Sequence, residues 1–189
     1  MNRRWLRVSV RSLLVLTAIV ALGIAYFSSR YRGHKAAVTA VLERGGTFAI
    51  KYDGPDWLHE KFDDHEYFYN CTRVNLGPYN NGYDPSRPIV DDEVRSLIPH
   101  LNAFSNFHIL DLRASAITDD ALTLIDQLDF IDDLVLWETG ITDTGLDNLG
   151  TIATLRRLDV RDTNATIDGI RRFANRNPQC KVQADFPVP

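Results

Sequence analysis

Three stretches of this chain superimpose at a fixed spacing of 24 residues, and that period constrains the fold more than any other feature. With Phe107, Ile131 and Leu155 set under one another, Leu110, Leu134 and Leu158 fall into line, as do Leu112, Leu136 and Val160. Next come Ser115, Thr139 and Thr163, then Ile117, Ile141 and Ala165, then Thr118, Thr142 and Thr166. Leu122, Leu146 and Ile170 follow, and Ile125, Leu149 and Phe173 close the unit. Each unit switches period along its length. Apolar residues two apart read as a short strand with one buried face. Thr118 and Thr142, followed by acids and an apolar i, i+3 pair, read as N-caps of short helices. A single unit of this size cannot bury its apolar face, so the units must stack on one another.

The period reaches further in both directions. Gln179, Val182 and Ala184 supply a weak last strand. Upstream, Cys71, Val74 and Leu76 fit the same columns once an insertion before Phe107 is allowed, and Thr47, Ile50 and Tyr52 fit 24 residues before those. Six strand positions are therefore expected, the outer two degenerate as terminal units of a stack tend to be.

The composite motif is L-x-x-L-x-L-x-x-T-x-I-T-D-x-G-L, clearest in Ile141-Thr142-Asp143-Thr144-Gly145-Leu146. It resembles leucine-rich repeats of the subtype with Thr in the turn and a helix on the convex side. The basic-to-apolar start at residues 7–16, a helix ending at Gly45-Gly46, and Pro55-Asp56-Trp57-Leu58 ahead of the repeats extend the likeness to bacterial single-pass membrane-anchored leucine-rich-repeat proteins. The resemblance implies an α/β fold: a short right-handed solenoid, parallel strands on its concave face and helices on its convex face, behind an N-terminal transmembrane helix. It implies no particular activity.

Charge divides the chain in two. Seven of the 21 basic residues lie within residues 1–35, whereas all 25 acids lie after them. The acidic body argues against nucleic-acid binding, which needs clustered cations to release counterions. Arg3, Arg4, Arg7 and Arg11 precede an apolar run from Leu13 to Phe27, broken only by Thr17, and Arg30, Arg32 and Lys35 close it. At helical rise the run covers about 22 Å, short of a hydrocarbon core of roughly 30 Å, but flanking serines extend it and arginines can snorkel. A cleaved signal peptide is the alternative. Its one small-residue candidate, Ala21-Leu22-Gly23, sits inside the apolar run. The division expected is a basic tail at 1–11, a transmembrane anchor at 12–29, a juxtamembrane helix at 30–46 and the repeat domain at 47–189. A loop is inserted at 77–88, where Asn80-Asn81-Gly82 and three prolines cluster. Trp57 to Asn70 reads as a helix. A single pass through the cell membrane, with the domain outside the cytoplasm, is the expected placement.

No catalytic fingerprint is present, and no cofactor is expected. His59 and His65, in the acidic string His59 to Glu66, are six residues apart and so fall on different helix faces; no metal site is expected there. Cys71 and Cys180 fall four strand steps apart, about 19 Å at roughly 4.8 Å per step, too far to pair.

The residues beside the strand leucines should face outward on the concave side. The expected ladders are Asn75, Asp111, Val135, Asp159 and Gly77, Arg113, Trp137, Arg161, flanked by Arg73, Ile109, Asp133, Arg157 and by Ala114, Glu138, Asp162. Trp137 between two arginines reads either as a cation–π stack that stabilises the sheet or as an aromatic–arginine contact for a partner. The candidate binding residues are therefore Asp111, Arg113, Asp133, Trp137, Glu138, Arg157, Asp159 and Arg161. Tyr79 and Tyr83 on the inserted loop read as a cover over the first repeat, with a contact site as the alternative. The expected function is a membrane-anchored module that binds a protein or envelope ligand. A structural protein that packs into a larger assembly is the alternative.

Overall fold

A computed structural model describes residues 10–52, 69–78, 87–104, 107–128, 130–150 and 152–187. Six strands form one sheet in chain order: β1 (Thr47–Tyr52), β2 (Tyr69–Asn75), β3 (Ile109–Asp111), β4 (Asp133–Val135), β5 (Arg157–Asp159) and β6 (Lys181–Gln183). Helix α1 (Val10–Leu42) leads, and α2 (Asp91–Leu101), α3 (Asp119–Ile125), α4 (Asp143–Asn148) and α5 (Ile167–Arg176) each connect one strand to the next. From β2 to β6 every pairing is parallel, and from β3 on each register is offset by one repeat: Ile109 lies opposite Asp133, Asp133 opposite Arg157, and Arg157 opposite Lys181.

The apolar columns form the core. Leu110, Leu134 and Leu158 are at most 1% exposed, as are Leu122, Leu146 and Ile170 from the helices. Val135, next to Leu134, is half-buried on the other side of the sheet. Cys71 and Cys180 are free thiols in the same core, on β2 and just before β6. Burial pushes them up to about 12 and about 11, respectively.

The threonine column works as the sequence suggests, and it does more. Thr118, Thr142 and Thr166 cap α3, α4 and α5, accepting from Asp120, Thr144 and Gly169 N–H. Each cap is also held by the helix before it. The Asp119 carboxylate accepts from Thr142 N (2.8 Å) and Thr142 Oγ1 (2.6 Å). Asp143 does the same for Thr166, and Asp91 for Thr118. The acid at the start of one helix thus fixes the cap of the next, and the units are tied along their helical edge as well as through the sheet. Burial alone would raise the Asp143 carboxyl. The Thr166 N–H and hydroxyl and the Arg172 guanidinium outweigh it and hold Asp143 below the usual carboxylate range. Gly145 and Gly169 leave room for these carboxylates: a Cβ on Gly145 would sit 2.3 Å from Asp119 Oδ1, and one on Gly169 2.1 Å from Asp143 Oδ1. The last helix begins Thr166-Ile167, without an acid at that position, and β6 is followed by no further described helix to receive one.

Helix α1 runs without a break through the residues assigned to the anchor and to the juxtamembrane helix. One expectation changes at this end: Thr47 to Tyr52 is no copy of the repeat, because β1 runs antiparallel to β2 with a register shift at Ala49/Ile50. Ile50, expected in a core column, is 49% exposed, while Phe48 packs on the core instead. Chain direction explains this. His34 stacks edge-on against Phe104, just past the end of α2, and Arg44 bonds Ser96 nearer its start, so α1 runs antiparallel to α2 and hence along the strand direction. It ends in a Schellman turn, with Gly46 N–H on Val41 O, Gly45 N–H on Leu42 O and Gly45 at φ 70°. Gly46 also passes over Leu76 and Val41, where a Cβ would fall at 2.6 and 2.8 Å. A reversal that tight returns β1 against the strand direction.

The helix expected over Trp57 to Asn70 lies outside the described residues except for its last two, which belong to β2. The His59–Glu66 string and the loop tyrosines Tyr79 and Tyr83 also lie outside them.

Candidate functional site

The outward face of the sheet carries the ladders in the expected order. Asn75, Asp111, Val135 and Asp159 lie opposite one another across β2 to β5, as do Arg73, Ile109, Asp133 and Arg157 one row below. The strands end one residue before Leu112, Leu136 and Val160, whose N–H groups still donate to the next strand. Arg113, Trp137 and Arg161 come next, where the chain turns away from the sheet. Ala114, Glu138 and Asp162 follow in left-handed backbone, at φ 50°, 59° and 51°. Ser115, Thr139 and Thr163 close this turn by donating their hydroxyls to Leu112, Leu136 and Val160 carbonyls at 2.6 to 2.7 Å.

Trp137 is held from both sides. The Arg113 guanidinium carbon is 5.8 Å from its ring centre and that of Arg161 is 5.2 Å, both within cation–π range. The indole N–H donates to Asp162 Oδ2 at 2.6 Å. Asp162 N–H in turn donates to Asp185 beyond the last strand. The ring remains half-buried rather than enclosed.

Both arginines are oriented from below. Arg113 Nε and Nη2 donate to the two Asp111 oxygens at 2.8 and 2.6 Å. Arg161 makes the same fork on Asp159 at 2.9 and 2.5 Å. Asp and Arg two residues apart share one face of an extended strand, so each pair is local. Gly77 continues the row ahead of Arg113, and a Cβ there would meet Arg113 Cγ and carbonyl at 2.7 Å. A third pair crosses strands: Arg157 Nε donates to Asp133 at 2.8 Å and its Nη2 bonds the other oxygen. Asp159 and Asp133 strengthen the proton affinity of Arg161 and Arg157, respectively.

These pairs divide the eight candidate residues. Asp111, Asp133 and Asp159 are buried at 2%, 8% and 7% exposure, under the arginines they hold. They position other groups and have almost no surface to offer a ligand. Arg113 and Trp137 are half-buried, Arg161 is half-buried, and Glu138 and Arg157 are exposed. The accessible part of this face is therefore the Arg113–Trp137–Arg161 row with Val135, Glu138 and Arg157 around it. The i, i+2 Asp–Arg spacing was visible in the sequence and marks this arrangement.

Among the described residues no cluster of three His, Cys, Asp or Glu side chains could hold a metal ion. A cleft of about 330 Å³ lies off this face, between α1 and β1, lined by Tyr31, His34, Lys35, Val38, Phe48 and Ile50. No family model matches the chain, and no curated protein matches it significantly.

α1 is long and apolar enough to cross a membrane. Its most apolar window of 18 residues has a mean hydropathy of 2.1, and none of it is buried in the fold. A core helix of that character would be covered by the rest of the chain; a signal sequence would share both properties.

Proposed function

We propose that this chain is a single-pass, membrane-anchored leucine-rich-repeat module that binds a protein or envelope ligand through the outward face of its sheet, with the domain outside the cytoplasm. The reading assigns it no catalytic role. Two regularities support the repeat assignment: the 24-residue offset from strand to strand, and the Thr-Asp linkage that recurs from helix to helix. The unburied apolar half of α1 supports the anchor.

The observation that carries the binding role is Trp137. A tryptophan placed for stability alone gains most by burial, whereas this one is left partly exposed between two arginines that buried carboxylates hold in position. Rigid aromatic and arginine side chains, already ordered before contact, lose little entropy on binding and dominate interface energetics.

Crosslinking in intact membranes, followed by affinity capture of the full-length chain, tests this. With Trp137→Ala the partner's affinity should fall about thirtyfold, as loss of a contact worth roughly 2 kcal/mol requires, and the captured amount with it. Undiminished capture by a variant with native circular dichroism would instead favour lateral packing into an assembly.

A further inference from the structure

We infer that the rim of the domain where helices return to strands lies in the headgroup layer of the bilayer, with Phe130 as its apolar contact. This inference rests on the proposal that α1 spans the membrane, and it adds how the domain sits on that membrane.

The geometry comes from the continuity of α1. The apolar run is centred on Val20, and a hydrocarbon slab of roughly 30 Å covers about 20 helical residues, so it ends near Arg30. Arg30 and Arg32 then fall at the phosphate level. At Gly33 the helix is already close against the domain, where a Cβ would lie 3.4 Å from Ala103 Cβ. The His34 ring stacks edge-on against Phe104 with centres 5.0 Å apart, and Arg30 Nη2 donates to Asn70 at 3.2 Å. The domain thus begins about 5 Å beyond the slab, inside an interfacial layer of about 5–8 Å.

Ala103 and Phe104 belong to the turn between α2 and β3, at one end of the stack of units. The equivalent turns are joined side by side. Asn102 Nδ2 donates to Gln127 O, Asp132 N–H to His108 O, Arg156 N–H to Asp132 O, and Asn177 Nδ2 to Gly150 O. Since α1 runs antiparallel to α2, the row of turns extends sideways from the anchor, along the membrane plane. Phe130 lies in the second turn of this row and is 60% exposed, whereas Thr154, one repeat on, is half-buried and polar. The opposite rim, at the helix N-termini, points away from the bilayer and carries Ile167, 44% exposed.

The test uses nitroxide labels on single introduced cysteines, Phe130→Cys, Ile167→Cys and Val20→Cys, in the full-length chain reconstituted into vesicles of phosphatidylcholine and phosphatidylglycerol. Cys71 and Cys180 are buried with raised pKa values and stay unlabelled at neutral pH. Collision with oxygen should exceed collision with a water-soluble nickel chelate several-fold at position 20, the two should be comparable at 130, and the chelate should dominate at 167. A label at 130 as water-exposed as that at 167, with 20 in lipid, overturns the inference and leaves the anchor standing. A water-exposed label at 20 overturns both.

Discussion

Replacing Leu134 with alanine should destabilise the domain by roughly 2–5 kcal/mol, the cost of deleting a fully buried leucine and leaving a cavity. Leu134 is 1% exposed and lies between Leu110 and Leu158 on the adjoining strands, so the loss falls on two interfaces at once. Its neighbour Val135 is on the outward face and only half-buried, and Val135→Ala should cost no more than about 1 kcal/mol. Stability in a stack is carried by contacts between adjacent units, so Leu134→Ala should also broaden the unfolding transition as the halves uncouple. Denaturant melts of the two full-length variants in detergent, followed by circular dichroism, measure the difference. A larger loss at Val135 would mean that the strand phase is shifted by one residue, and every outward residue named here would then face the core.

The second large effect belongs to the helical edge. Asp119→Ala removes two charge-assisted hydrogen bonds and leaves the Thr142 cap without the helix that holds it. Such bonds contribute about 1.5–3 kcal/mol each, less where water can substitute, so the expected loss is about 2–4 kcal/mol. Asp120, the next residue, is exposed and makes no bond to the following unit among the described contacts. Asp120→Ala should cost only the ~0.3–1 kcal/mol of a carboxylate near a helix N-terminus. Gly145 supplies an internal check. Gly145→Ala drives a Cβ into the Asp119 carboxylate, so it should be more damaging in the native chain than in Asp119→Ala. Equal costs in both backgrounds, from a double-mutant cycle, would show that the glycine answers to something other than that carboxylate.

Much of this architecture was legible because the strand and helix columns are apolar at fixed spacing, and burial leaves that trace in any sequence. Leu110, Leu134 and Leu158 could be assigned to the core without coordinates. β1 could not be read correctly, since three residues two or three apart fit a parallel and an antiparallel strand equally well. Its direction follows from the path of α1 and the Gly45-Gly46 reversal. The Asp–Thr linkage was hidden for a different reason. Asp119 and Thr142 are 23 residues apart, and a first-turn acid already has a sufficient local explanation in the helix dipole. On the outward face the ladders were legible from the pleat, and Trp137 between Arg113 and Arg161 followed from the repeat. What the sequence left open was which charges are exposed. Asp111 and Asp159 read as surface residues, but the same-face arginine two positions on folds over each and covers it.

The binding role of this outward face can be addressed with a photoreactive amino acid placed at one position at a time in the full-length chain, in intact membranes. Val135 is at the centre of that face; Thr123 is exposed on α3, on the helical side. The account predicts a discrete partner adduct from position 135 and none from 123. An adduct from 123 with none from 135 would contradict it, and would assign the contact surface to the helices.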